Sequence, residues 1–200
     1  MLSKNACEKL CSLAAMLLLV LFLSADFYAA PGDLDPTFGN GGVVTTPFTN
    51  FSDVTSSIQV QPDGKIIVSG HSYAYDGFED VDYVVSGFIA RYNSSGTLDA
   101  SFGSNGKIVT GNYYENVGVK TALQPDGKIV AIGQKLNFFA PGQVEINFAV
   151  WRYNANGTLD ASFGTGGKVF TSLGQSQSTQ YNYQGARDVV LQPDGKIFVM

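Results

Sequence analysis

The chain has 200 residues, a net charge of −5 and only 14% charged residues, so it offers no basic stripe and the expectation is no nucleic-acid partner. Its 23 glycines favour short strands joined by many turns over helices. No block of like charge is long enough to read as an interaction tail.

Residues 1–30 read as a secretory signal peptide: Lys4 and Lys9 precede an apolar run from Leu13 to Leu23, and the small residues Ala29 and Ala30 follow. The run is short for a membrane span. Phe27 and Tyr28 stand at the −3 positions of the two candidate cleavage sites, where small residues are preferred, and this keeps an uncleaved anchor as the alternative. Both cysteines, Cys7 and Cys11, fall inside this segment and read as incidental. The mature chain is then cysteine-free and without a membrane span, and is expected to be secreted or held in the cell envelope with no disulfide support.

Residues 31–200 are organised by two cassettes. Leu-Asp-x-x-Phe-Gly-x-x-Gly begins at Leu34, Leu98 and Leu159, and Gln-Pro-Asp-Gly-Lys-Ile begins at Gln61, Gln124 and Gln192. Successive copies of the second are 63 and 68 residues apart, and a period that long denotes a repeat architecture. Pro-Asp-Gly predicts a three-residue hairpin turn: Pro presets φ, Asp tolerates the second position, and Gly supplies the left-handed third. The strands it joins are predicted as Ile58–Gln61 with Lys65–Ser69, Val117–Gln124 with Lys128–Gln134, and Val189–Gln192 with Lys196–Met200. Third strands follow at Phe88–Tyr92 and Phe148–Tyr153, and short fourth strands at Lys107–Thr110 and Lys168–Thr171.

The intervening Leu-Asp-x-x-Phe-Gly reads as a capped turn. Asp99 or Asp160 accepts from backbone N–H groups two or three residues on, Phe102 or Phe163 plugs inward, and Gly103 or Gly164 takes the left-handed exit. Four short antiparallel strands per unit predict an all-β fold: a β-propeller of four-stranded blades, incomplete here at about two and a half to three blades. A β-solenoid is the runner-up, although its rungs are usually shorter. The third unit stops before its Arg-Tyr-Asn strand, so a fragment of a longer chain is expected; self-association to close the ring is the alternative.

Gln-Pro-Asp-Gly-Lys-Ile followed by Arg-Tyr-Asn-x-x-Gly-Thr-Leu-Asp-Ala-Ser-Phe-Gly resembles the bacterial delta-60 repeat, a β-propeller repeat of unknown function. The resemblance covers nearly all of Gly32 to Met200 and implies a secreted or envelope-associated propeller. It transfers no catalytic residue.

The remaining chemistry is sparse. Asp63, Asp126 and Asp194 are explained by their turns, and Asp35, Asp99 and Asp160 by capping. Arg91 and Arg152 sit among apolar residues, and a capping aspartate is the candidate partner for an ion pair between blades. Asp76, Glu79, Asp80 and Asp82 read as a solvated acidic loop, with calcium as the alternative. His71 is the sole histidine and has no cysteine or second histidine to join it in a metal site or triad. No catalytic residue, cofactor or metal is therefore expected.

Strand parity separates two rims. Connections after the first and third strands carry the stereotyped cassettes, and those after the second and fourth carry the variable segments Thr49–Asp53, Ser72–Asp82, Asn112–Asn116, Leu136–Glu145 and Gly174–Gly185. Tyr73, Tyr75, Tyr113, Tyr114, Phe138, Phe139, Tyr181 and Tyr183 lie there among Asn, Gln and Ser, a composition that suits carbohydrate or protein surfaces. The opposing reading is that these aromatics only cover blade edges. The expected function is a non-enzymatic binding or adhesion surface; the alternative is the propeller domain of a secreted polysaccharide hydrolase or lyase with catalytic residues elsewhere.

Overall fold

The computed structural model describes residues 31–75, 82–110, 115–140, 143–176 and 186–200, with side chains described outside 74–85, 111–119, 138–144 and 173–185. The signal segment 1–30, with Cys7 and Cys11, lies outside them. The chain divides into two compact units, Met1–Gly42 and Val43–Met200.

In the first unit the described residues form one capped turn. Asp35 Oδ1 accepts from the Thr37 N–H at 2.8 Å, Phe38 N–H donates to the Asp35 carbonyl at 3.1 Å, and Gly42 N–H donates to the Phe38 carbonyl at 2.8 Å. The Leu-Asp-x-x-Phe-Gly cassette therefore folds on its own local bonds.

The second unit is all-β. Strands β1 (Ser52–Val60), β2 (Ile66–Tyr75), β3 (Asp82–Tyr92) and β4 (Lys107–Thr110) form one antiparallel meander in that spatial order. A second meander repeats it with β5 (Glu115–Leu123), β6 (Ile129–Ala140), β7 (Gln143–Tyr153) and β8 (Lys168–Ser176). A two-stranded hairpin follows, β9 (Val189–Leu191) with β10 (Ile197–Val199). At each Pro-Asp-Gly turn the glycine is left-handed, with φ of 80°, 82° and 83° at Gly64, Gly127 and Gly195. The turn aspartate also has a bonding role. Asp63, Asp126 and Asp194 each accept from the N–H two residues on, at 3.1 Å, which fixes the exit into the next strand.

Several segments expected as variable loops are largely strand. β6 and β7 run through Leu136–Glu145, pairing Leu136 with Ile146, Asn137 with Glu145 and Phe138 with Val144. Likewise β2 continues to Tyr75, β3 starts at Asp82, β5 starts at Glu115, and β8 reaches Ser176. In β6 and β7 the pairing runs from Ile129 with Tyr153 to Phe138 with Val144, so backbone bonding carries through polar residues that have little strand propensity of their own.

Successive sheets stack through unlike faces. Ile67, Ile89 and Phe102 of the first meander share one buried cluster with Ile129, Ala131, Ala149, Trp151 and Tyr153 of the second. Strand alternation puts Arg91 on the same face as Ile67 and Ile89, and the corresponding face of the second sheet carries Arg152 and Val130. That second face buries Val130, Ile132 and Ala122 against Ala186 and Val189, with Leu191, Ile197 and Val199 packed around them. The order is constant: the arginine face of one repeat meets the opposite face of the next.

The opposite face of the first sheet is partly covered by residues 46–49. Phe48 stacks on Phe88 with ring centroids 3.7 Å apart, Lys107 Nζ donates to the Pro47 carbonyl at 2.8 Å, and the N–H of Phe48 donates to Asp53 at 3.0 Å. Beyond this strap Ile58 and Val60 stay exposed. One sequence expectation needs correction here. Phe102 is fully buried, but Phe163 is only half-buried, because the ring is covered by the next repeat and not by its own turn. Phe102 lies under the second sheet's Asn154–Gly157 turn, where Gly103 N–H donates to the Asn156 carbonyl at 2.8 Å.

Candidate functional site

The stereotyped rim is held by one charge network written twice. Arg91 Nε donates to Asp99 Oδ2 at 2.9 Å, and its guanidinium lies 4.7 Å from the centroid of the Phe102 ring. Asp99 Oδ1 accepts from the Ser101 N–H at 3.1 Å and its hydroxyl at 2.7 Å, and Lys65 Nζ stands 3.5 Å away. In the second repeat Arg152, Asp160, Ser162, Phe163 and Lys128 take the same places, with Arg152 2.7 Å and Lys128 3.2 Å from Asp160. The Ser101 hydroxyl and N–H, with Arg91 and Lys65 behind them, hold the Asp99 carboxyl at about 2 against the opposing effect of burial. Asp160 is held low in the same way, first by Ser162.

This arrangement corrects the expectation of an ion pair between blades. Arg91 and Asp99 belong to the same sheet, because the Asn-x-x-Gly turn returns the chain so that the Asp99 N–H donates to the Arg91 carbonyl at 2.9 Å. The link between repeats is the other end of the guanidinium, where Nη1 donates to the Ala155 carbonyl of the next unit. Sequence reading also missed Lys65 and Lys128. They connect the Pro-Asp-Gly turn to the cap, and the lysine inside every Gln-Pro-Asp-Gly-Lys cassette was the available signal. Their contacts place both cassettes on one rim, as parity requires.

The aromatic residues proposed for the opposite rim are only partly within the described residues. Tyr73 lies in β2, half-buried, paired with Ser52 and Val84, its ring centroid 6.4 Å from that of His71. Tyr75 pairs with Asp82 at the end of β2, and Phe138 pairs with Val144 in β6, with Phe139 at the adjoining irregularity. These are strand positions, not loop tips; the side chains of Tyr75, Phe138 and Phe139 lie outside the described set. Tyr113, Tyr114, Tyr181 and Tyr183 lie outside the described residues, as do Asp76, Glu79 and Asp80 of the acidic segment. His71 Nδ1 is 3.4 Å from the Ser56 hydroxyl, and burial lowers its pKa.

A polar cluster spans β6, β7 and β8. Glu145 Oε1 accepts from the Ser172 hydroxyl at 2.6 Å, and its Oε2 accepts from Asn137 Nδ2 at 3.2 Å. Those bonds, with a further one from Asn147, hold its pKa below the usual glutamate value. One row below, Lys135 Nζ lies 4.4 Å from the Phe170 ring centroid, and Trp151 meets the same ring edge-on at 6.2 Å.

Four-stranded antiparallel meanders, stacked face to face and joined through a repeated turn, define a β-propeller repeat. Residues 61–102 and 124–163 match the family model described as Domain of unknown function (DUF5122) beta-propeller, so both matched segments start at a Gln-Pro-Asp-Gly cassette and end at or near the phenylalanine that follows the cap. No curated protein and no solved structure matches the chain.

Proposed function

We propose that this chain is a secreted or envelope-held propeller scaffold of the delta-60 repeat type, acting as a non-enzymatic binding or adhesion surface. The observation that carries the reading is a division of labour. The residues that recur between repeats (Lys65 and Lys128, Arg91 and Arg152, Asp99 and Asp160, Ser101 and Ser162) are engaged in holding strands and sheets together. Tyr73, Tyr75, Phe138 and Phe139, which do not recur between repeats, lie in β2 and β6 toward the ends away from that network, and Tyr113, Tyr114, Tyr181 and Tyr183 fall in sequence between strands, outside the described residues. Aromatic surface among amides and hydroxyls gives flat apolar area with adaptable hydrogen bonds. Residues 1–30 direct export. The ligand is a protein or a carbohydrate. Val190, Phe198 and Met200, each more than half exposed, present the arginine-side face of the third repeat, which suits another sheet from the same polypeptide or from a second copy.

The test is binding of the full chain to panels of extracellular polysaccharides and envelope proteins, with thermal unfolding and release of reducing ends followed in parallel. Replacing Tyr73, Tyr113 and Tyr114 with Ser is expected to weaken binding and leave the unfolding temperature in place. Loss of folding would assign these rings to blade-edge cover, and turnover of a polysaccharide would favour the hydrolase or lyase reading.

A further inference from the structure

We infer that Asn40 is a site of spontaneous covalent modification: it deamidates through Gly41, while the other two Asn-Gly pairs of the chain, Asn105-Gly106 and Asn156-Gly157, are held unreactive by the fold. The inference is independent of the binding reading. Asparagine loses its amide when the main-chain nitrogen of the next residue attacks its side-chain carbonyl carbon. Glycine, with no Cβ to obstruct the approach, is the most reactive partner. The attacking nitrogen must first give up its proton, so a hydrogen bond that holds the proton slows the step. Gly106 N–H donates to the Phe102 carbonyl at 2.8 Å and Gly157 N–H to the Asn154 carbonyl at 2.8 Å, and both glycines are buried. The Asn156 side chain is engaged as well, its Oδ1 accepting from the N–H and the hydroxyl of Thr158 at 3.1 and 2.8 Å. Asn40 and Gly41 are both exposed, and neither the Asn40 amide nor the Gly41 N–H has a hydrogen bond among the described residues. A Cβ built on Gly41 would meet nothing within 4 Å.

The repeat supplies a second argument. Gly41, Asn105 and Gly166 hold the same place in the three Leu-Asp-x-x-Phe-Gly cassettes, and none of their N–H groups is bonded among the described residues. In the two later cassettes that place follows Ser104 and Thr165, which carry no amide; the first cassette alone puts an asparagine before it. The chemistry balances as an amide hydrolysis. Gly41 N–H gives its proton to solvent hydroxide, its nitrogen bonds to Asn40 Cγ, and the Cγ–Nδ2 bond breaks, releasing ammonia and leaving a succinimide ring. Water then opens the ring at one carbonyl or the other. One product is aspartate; the other is isoaspartate, in which the main chain runs through Cβ and Cγ. Either product adds one negative charge. Isoaspartate also adds a methylene to the main chain between the Phe38 carbonyl and the Gly42 N–H, whose 2.8 Å bond closes the turn. The hydrolysis does not run backward, so opened turns accumulate with the age of the molecule.

The experiment incubates the full chain in mildly alkaline heavy-oxygen water, folded or in urea, and follows each Asn-Gly peptide by mass spectrometry. Isoaspartate is scored with a carboxyl methyltransferase specific for it. In the folded chain Asn40 is expected to react at least about tenfold faster than Asn105 and Asn156, the factor that one hydrogen bond supplies. In urea the three rates are expected to converge. Asn40→Ser, which copies the middle cassette, is expected to abolish the fast reaction. Thr165→Asn, which sets an amide before the exposed Gly166, is expected to introduce it into the third cassette. Circular dichroism checks that both variants are folded, and the wild-type comparison of folded and urea rates decides the question without them. Equal rates at the three sites in the folded chain overturn the inference, as does an Asn40 that stays intact there. A rate gap that persists in urea also overturns it, since the gap would then come from sequence and not from the fold.

Discussion

Arg91 of β3 and Ala155 of the turn after β7 are joined by a hydrogen bond from the guanidinium of one repeat to the main-chain carbonyl of the next. The same guanidinium is pinned within its own repeat by Asp99 and Ser101 and lies over Phe102. A group fixed on three sides within one sheet and bonded to the next transmits the position of one repeat to its neighbour.

Arg91→Met is expected to lower stability by about 2 to 3 kcal/mol, since it removes the buried partner of a carboxylate and orphans a carbonyl between repeats. Arg152→Met is expected to cost less, because that side chain is 19% exposed against 8% for Arg91. Urea unfolding of the two variants side by side checks the order.

Acid should weaken the fold through the capping carboxylates. Asp99 binds its proton more weakly in the folded chain than in the unfolded one, at about 2 against the ordinary 3.8. Its contribution is therefore complete above the unfolded value and is lost as pH falls from roughly 4 toward 2. Ser101→Ala removes the largest cause of the shift, so it is expected to raise the Asp99 pKa and reduce stability at neutral pH. An NMR titration of the Asp99 side-chain carboxyl checks the first, and urea midpoints between pH 3 and pH 7 check the second.

Gly157 separates conformational strain from contact between repeats. It has φ of 85°, and a Cβ there would stand 2.7 Å from the Gly103 N of the preceding repeat. Gly127 has a nearly equal φ of 82°, but its Cβ would meet only the Ala155 Cβ at 3.6 Å. Gly127→Ala is expected to cost about 1 to 2 kcal/mol from backbone strain alone, and Gly157→Ala distinctly more. Equal losses in thermal unfolding would mean that the turn yields and the contact is soft.

Ser69→Ala is expected to leave stability unchanged or to raise it by about 1 kcal/mol. Its hydroxyl is buried without a hydrogen bond among the described residues, and Ile132 occupies the equivalent position in the second repeat. Differential scanning calorimetry of the variant decides it; a loss of several degrees would reveal a partner for the hydroxyl.

Much of the fold was legible because it is written locally. Pro-Asp-Gly fixes a hairpin within three residues, and Asp99 caps its turn through a bond only two residues long, so neither needs knowledge of the rest of the chain. Burial was less legible. Phe102 and Phe163 stand in identical cassettes, yet only the first is sealed, since the cover comes from a neighbouring repeat. Strand ends were hidden for another reason: Asn137, Gln143 and Glu145 read as loop residues, and the pairing that makes them strand is set by register begun at Ile129 and Tyr153. The Glu145 cluster escaped notice because its members are spread over three strands and lie as much as 35 residues apart, from Asn137 to Ser172.

The two faces of each sheet differ, and the arginine face always meets the opposite face of the sheet that follows. Such a stack has a direction, like courses of tongue-and-groove boards. A sheet turned end for end would offer its neighbour the wrong face, leaving the Arg91 guanidinium without the Ala155 carbonyl and Phe102 without its cover, so the sense in which repeats follow one another is set by contacts and not by the connecting chain alone.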